Sequence, residues 1–313
     1  MILITDTTGF IGRATVRELT EMRNDVRCLL RPARHEQRLP KGTAVSIVSA
    51  AMDDLPALRT SLQDVTAVLH LMGEDGPDHE RLKYRHAEDT ANLLQAAQEV
   101  GVRRFVYLSR LGAERTSAYP LFQARGEAEV LVRESGLDYT ILQPAITYGQ
   151  EDAFTNVLAM LGQSFPFVVP IPDAGRARFQ PLWVGDLVRC LADTIARDDL
   201  IGQTITLGGP EHFTLDQMMQ QIMTKAGIQK RIVRMSPPVA HFVTEMSNGL
   251  LPRSPIPYRW LDVLAMGSAT DLTNVSRTFG FEPHRFTDQL NYLQHDRHWR
   301  WELLRFVIGR SDR

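Results

Sequence analysis

Met1-Ile2-Leu3-Ile4-Thr5-Asp6-Thr7-Thr8-Gly9-Phe10-Ile11-Gly12 opens the chain. A short apolar strand runs into a turn of small residues, and a helical pattern follows from Arg13. That is how a dinucleotide-binding strand–turn–helix unit begins. The departure is in the glycines. Where three are expected at three-residue spacing, the first is Asp6. Aspartate tolerates left-handed dihedrals better than most residues, so the turn itself is expected to form. Its charge is a different matter. A carboxylate about 6 Å from one phosphate charge, at an effective dielectric of about 20, opposes binding by roughly 2–3 kcal/mol. Uncompensated, that is roughly a hundredfold in affinity. A side chain turned outward to cap the next helix is the milder alternative.

Working outward, the first half alternates strands and helices. Apolar runs predict strands over 2–5, 26–30, 45–48, 67–71, 105–109 and 139–142. Helical periodicity predicts helices over 11–21, 55–62, 86–100 and 123–135, with Gly101 and Gly136 placed to end the last two. The order reads as an α/β fold with a doubly wound parallel sheet. After Tyr148-Gly149 the pattern changes. Helices are expected over 184–196 and 214–226 and a strand over 204–207, while 237–257 is apolar, proline-rich and reads as the roof of a cleft. The resulting division is a nucleotide-binding domain over 1–147 with returns from about 181–207. A smaller C-terminal lobe takes about 148–180 and 208–293, and 294–313 forms a C-terminal extension.

The bulk numbers narrow the class. A length of 313 residues, 43% hydrophobic and 23% charged, suits a globular protein with ample core. A net charge of −2 argues against a dedicated nucleic-acid binder. Cys28 and Cys190 lie in strand and helix patterns, as reduced core thiols of a cytoplasmic protein would. The histidines show no ligand grouping, so no metal is expected. The first residues enter a strand directly, without signal-peptide character, and no apolar run is long enough to span a bilayer.

Seven stretches in order carry a resemblance: TGFIG (8–12), VRCLLRP (26–32), GVRRFVYLSRLGA (101–113), GEAEVLVRESGLDYTIL (126–142), YGQEDAF (148–154), ARFQPLWVGDL (177–187) and TITLGGPEHFTL (204–215). Together the chain resembles the atypical extended short-chain dehydrogenase/reductases. Its nearest likeness is the branch containing NmrA-like proteins and the Rossmann accessory subunit of mitochondrial respiratory complex I. The resemblance implies a Rossmann-like sheet and, if any cofactor, NADP (as NADPH). It places nucleotide contacts at Thr8, Gly9, Phe10, Ile11, Gly12, Arg31, Leu71, Gly73, Ser109, Arg125 and Pro144. Gly9 would admit the pyrophosphate and Gly12 would let the helix pack on the first strand. Arg31, with Arg34 nearby, stands where NAD-selective relatives carry an acidic residue, and would meet a 2′-phosphate. An aspartate that contacts adenine in the family is Ala50 here. Asp6 and Ala50 together weaken or abolish binding in this reading.

The catalytic side departs further. The superfamily's chemistry uses a Tyr-x-x-x-Lys pair, in which lysine lowers the tyrosine pKa. No tyrosine here has lysine four residues later. Alignment on GEAE puts Leu121 at the tyrosine position and Arg125 at the lysine position. Leucine has no exchangeable proton, and arginine is a poor proton relay. No catalytic residue is assigned. Tyr119 stands two residues from the tyrosine position. Ser109 matches the superfamily's serine region, or satisfies a strand end. Gln143 replaces the family's arginine before Pro144. Asp152, Gln180 and Asp186 match positions near the lobe, where buried structural roles explain them equally well. His70, inside an apolar strand, reads as a hydrogen-bonded core histidine.

The last residues, 294–313, combine Trp299, Trp301, Phe306, Val307 and Ile308 with five arginines. Three readings stand: docking to a protein partner, packing on its own domain, and peripheral contact on the cytoplasmic membrane face. Two functions follow. One is a catalytically degenerate NAD(P)-binding-fold protein acting as a structural, assembly or regulatory component of a larger, respiratory or electron-transfer, complex. The other is an active NADPH-dependent reductase or isomerase of the same branch.

Overall fold

A computed structural model describes residues 1–32, 39–40, 42–72, 79–173, 175, 177–294 and 299–308, with backbone alone for 79–85, 299 and 300. The chain begins β1 (Ile2–Ile4), α1 (Phe10–Glu21), β2 (Val26–Leu30), β3 (Ser46–Ser49), α2 (Leu55–Ser61), β4 (Ala67–Leu71), α3 (His79–Val100), β5 (Arg104–Leu108), α4 (Pro120–Glu134) and β6 (Asp138–Pro144). There follow β7 (Thr147–Tyr148), α5 (Phe154–Ser164), β8 (Val168–Pro172) and β9 (Leu182–Trp183), then α6 (Val184–Ile195) and β10 (Gln203–Leu207). The remainder is α7 (Leu215–Lys225), β11 (Arg231–Met235), α8 (Pro237–Leu250), α9 (Tyr258–Met266), α10 (Asn274–Phe279) and α11 (Trp299–Ile308).

Two compact units result. The first comprises Met1–Pro144, Val184–Leu207 and Asn274–Phe281. Its seven strands form one parallel sheet in the order β10-β6-β5-β4-β1-β2-β3. The α/β, doubly wound reading of the sequence is therefore the fold observed. β4, β1 and β5 are apolar and buried along nearly their whole length, as strands covered on both faces must be. One face carries α2, α3 and α4, whose Leu58, Leu93, Ala97, Ala128 and Val132 pack on Leu3, Val68, Phe105 and Ile141. α1 and α6 pack together elsewhere in the same unit. The strand order reverses at β1, between β2 and β4. A ligand crevice in such sheets lies beyond the carboxyl ends of the strands at that switch point.

The second unit comprises Ala145–Trp183, Gly208–Thr273 and Glu282–Arg313. Two short parallel pairs, β7 with β9 and β8 with β11, are set among α5, α7, α8, α9 and α11.

Three helices differ from expectation. α3 starts at His79, not 86, because its first two turns carry no apolar period to betray them. α4 starts at Pro120, not 123, since proline fits the first helical position, whose N–H needs no partner. The same applies to α8: Pro237-Pro238 begin a helix of 14 residues instead of breaking one.

Candidate functional site

The turn after β1 lies at the switch point. Thr5 N–H donates to Leu69 O at 3.1 Å, extending the β4 pairing by one residue. Asp6 then adopts φ +50, in the left-handed region. Gly9 N–H donates back to Asp6 O (3.2 Å), and Arg13 N–H to Gly9 O (2.9 Å) starts α1. A Cβ on Gly12 would stand 2.1 Å from Asp6 O, so only glycine lets α1 lie this close to the strand end. A Cβ on Gly9 would stand 2.8 Å from Asp6 Oδ2. The Asp6 carboxylate thus lies against the bare glycine at the amino end of α1. That end attracts anions through its N–H groups and dipole. The cradle fits a phosphate in backbone shape, with the Asp6 carboxylate beside it.

Residues 5–8 with 29–31 and Met52 line a cavity of about 70 Å³ beside this turn. Thr8 O accepts from the Arg13 guanidinium; Phe10 and Ile11 form the first turn of α1. Arg31, just past β2, is ion-paired with Asp89 of α3 at 2.9 Å, and the Asp89 side chain is largely buried. Ala50 is buried in the core with Met52 and Leu58, its N–H donating to Leu30 O. Leu71 ends β4 and is buried; Pro144 ends β6, and its carbonyl accepts from Leu111 N–H. Gly73 and Arg34 fall outside the described residues.

At the ends of β4, β5 and β6 the polar side chains are bonded to one another and to the strand ends. Leu121, in the first turn of α4, is buried. Arg125, one turn on, is 2% exposed and donates to Met72 O (2.7 Å) and Leu108 O (3.2 Å). Its guanidinium joins the carbonyl ends of two adjacent strands. Ser109 Oγ donates to Glu129 Oε1 at 2.5 Å, and Gln143 Nε2 donates to the same oxygen at 2.7 Å. Arg133 Nη2 meets the other oxygen, Oε2, at 2.6 Å. Glu129, 2% exposed, is therefore the hub of a polar cluster that sequence reasoning did not single out. The available signal was a Glu–Arg pair at four-residue spacing, Glu129 and Arg133, one turn beyond Arg125 on the same face of the helix.

His70 is fully enclosed, with Nδ1 3.0 Å from Thr5 Oγ1 and Nε2 3.1 Å from Thr90 Oγ1. Burial first, then the charges of Arg31, Arg125 and His86, hold its pKa well below the usual histidine value. It is a neutral core residue. Tyr107 stacks on it and is buried with its hydroxyl 3.4 Å from Met72 Sδ; burial raises its pKa. Tyr119 is the residue before α4, edge-on to Phe122. In the second unit, Asp152 accepts from Gly149 N–H, from Thr155 and from Tyr292. Burial lifts its carboxyl above the ordinary range against the pull of those bonds. Gln180 bridges Gly209 O and Thr270 N–H. Asp186 is buried in the first turn of α6. Cys28 and Cys190 are buried free thiols, Cys28 pushed up to about 11 by burial. Among the described residues no group of His, Cys, Asp or Glu is placed to hold a metal.

A family described as NAD(P)H-binding matches residues 7–166. Among curated proteins, the chain is 26% identical over 259 residues to the mitochondrial NADH dehydrogenase [ubiquinone] 1 alpha subcomplex subunit 9 of Arabidopsis thaliana. The match covers 80% of this chain and 64% of that protein, so the chain spans less than two thirds of that relative's length. It is 25% identical over 317 residues to the Photosystem II assembly factor Ycf39 of a Synechocystis strain, covering 94% of this chain and 89% of that one. Among solved structures, the NADPH-dependent quinone oxidoreductase QOR2 of Escherichia coli, complexed with NADPH, superposes with a TM-score of 0.74 at 22% identity. That likeness covers 94% of this chain and 99% of the other, and speaks to the fold.

Proposed function

The chain belongs to the NAD(P)H-binding family, and from that premise we propose that it is a non-catalytic structural or assembly component of a larger protein complex, with a nucleotide cradle weakened by its own charge. One observation carries the reading. At the two positions where the resemblance requires a tyrosine and a lysine stand Leu121, with no proton to exchange, and Arg125, spent on the carbonyls of Met72 and Leu108. Ser109 and Gln143 are likewise engaged by Glu129. A complex I subunit and a photosystem assembly factor among the relatives support a complex-bound role. The C-terminal residues 294–313 are the proposed protein-docking segment. NADPH is the proposed ligand, through Arg31, and its binding is weak because Asp6 and Ala50 replace a glycine and an acidic contact.

Titration of the purified chain with NADPH and NADH, followed by nucleotide fluorescence, tests this. Weak or absent binding that tightens in Asp6→Gly, without turnover of quinone or carbonyl acceptors in either form, is the expected result. Micromolar NADPH binding by the unaltered chain with turnover would overturn it in favour of an active reductase.

A further inference from the structure

The second unit carries an apolar surface that the cradle does not use. Of the fifteen exposed large hydrophobic side chains among the described residues, thirteen lie in this unit and two, Met22 and Ile47, in the first. They are not scattered. On α8, Val239, Phe242, Met246 and Leu250 recur at helical spacing on one stripe, with Phe242 62% and Leu250 71% exposed. Ala240 and Thr244, on the opposite side of the helix, are buried. α8 is thus apolar inward and outward, and its exposed side bears a single carboxylate, Glu245. The proline-rich stretch is therefore a helix with an outward apolar face.

Two further features adjoin it. α11 shows the same habit: Trp301, 65% exposed, Leu304 and Ile308 lie on one stripe. The Arg253 guanidinium, just past α8, sits 4.2 Å over the Phe306 ring of α11 and ties the two neighbourhoods together. β8, which packs beside α8, is preceded by Phe167, 83% exposed. The charge near this surface is mainly positive. Residues 225–259 hold Lys225, Lys230, Arg231, Arg234, Arg253 and Arg259 against Glu245 alone, although Arg234 is ion-paired with Asp216 of α7 and Asp262 of α9 faces His241 of α8.

We infer that α8 and the basic residues flanking it form a docking face for an anionic lipid surface. Large apolar side chains on one stripe of a helix with arginine and lysine beside it are what an interfacial helix needs. The apolar tips enter the acyl boundary while the cations meet lipid phosphates. A few hundred Å² of contiguous exposed apolar surface is the size at which such patches mark interaction sites. No helix among the described residues is long and apolar enough to cross a membrane, so the contact is peripheral. This inference is independent of the nucleotide reading and survives or fails without it.

The test is flotation of the full chain with vesicles of phosphatidylcholine alone and of phosphatidylcholine with about one third phosphatidylglycerol, at low salt. Binding to the anionic vesicles only, weakened by 0.5 M salt (roughly a fourfold shorter screening length than at low salt), is expected. Phe242→Glu and Leu250→Glu, both at exposed positions, should each raise the lipid needed for half-flotation about tenfold or more. Ile47→Glu, an equal change on the first unit, should leave it unmoved. Circular dichroism and thermal melts confirm that all three fold. Three results would overturn the inference: no flotation with anionic vesicles; equal flotation of Phe242→Glu and the parent; or, in place of lipid binding, a concentration-dependent dimer or a co-purifying protein that Phe242→Glu sheds.

Discussion

The turn after β1 and the polar cluster beneath α4 lie at the same carboxyl edge of one sheet, and they depart in different ways from the pattern the family resemblance implies. The turn keeps its shape: Gly12 still admits the strand end at a distance no Cβ tolerates, and Asp6 takes the left-handed conformation a glycine would. What differs there is charge: a carboxylate stands where the resemblance expects an uncharged glycine. Beneath α4 the polar groups act as braces, with Arg125 bound to two strand ends and Glu129 collecting Ser109, Gln143 and Arg133. A single substitution can undo the first departure. The second is built into the packing.

The comparison is sharpened most by Glu129→Ala. Removing the buried carboxylate leaves the Ser109 and Gln143 donors without their acceptor, while Arg133, 38% exposed, can turn to water, so unfolding free energy should fall by about 2–4 kcal/mol. Urea denaturation reads this directly. A loss below about 1 kcal/mol would mean the cluster is incidental to stability. Asp6→Gly is the matching change in the turn. There the fold should be kept, since glycine suits φ +50 at least as well. Nucleotide affinity, by contrast, should rise roughly a hundredfold, the 2–3 kcal/mol that one nearby carboxylate opposes. If Asp6→Gly leaves NADPH binding where it was, the charge is not what limits the cradle.

These two regions were also unequally legible in the sequence. The turn could be read because its logic is local: an apolar strand, small residues, two spaced glycines and a helix within twelve residues. So could the central strands, whose continuous apolar runs bury both faces. Glu129 could not. Its four-residue spacing to Arg133 is local, but Ser109 and Gln143 come from the ends of β5 and β6, and no spacing in the chain announces that meeting. Arg125 was legible as a replacement for lysine, but its engagement with Met72 O depends on strand register 53 residues away. α8 was hidden by its prolines, which mark breaks in most contexts and a first helical turn in this one.

The buried histidine of the first unit gives a pH test. His70 is held neutral in the fold, its pKa well below the ordinary value of 6.5 that applies once unfolded. Below pH 6.5 the unfolded chain therefore binds a proton the folded chain refuses. Stability from this group is complete above that pH and falls as pH drops from 6.5 toward the folded value, by up to about 1.4 kcal/mol per unit. Urea midpoints at pH 7.5, 6.5 and 5.5 should show the decline. His70→Gln, which can still hydrogen-bond Thr5 or Thr90, should flatten it.

The smallest effect concerns Arg31, and it separates the charge of the turn from the charge beside it. Its guanidinium is half-exposed and already paired with Asp89, so under the proposed reading it would meet a 2′-phosphate as a shared cation. A solvent-screened pair of this kind is worth up to about 1 kcal/mol. In the Asp6→Gly background, where binding is strong enough to measure, Arg31→Ala should weaken NADPH about two- to fivefold and leave NADH unchanged. Asp89→Asn should do the reverse, since it frees the arginine without removing it. Equal losses for both nucleotides in Arg31→Ala would show the residue holding the end of β2 in place through Asp89, with no part in choosing between them.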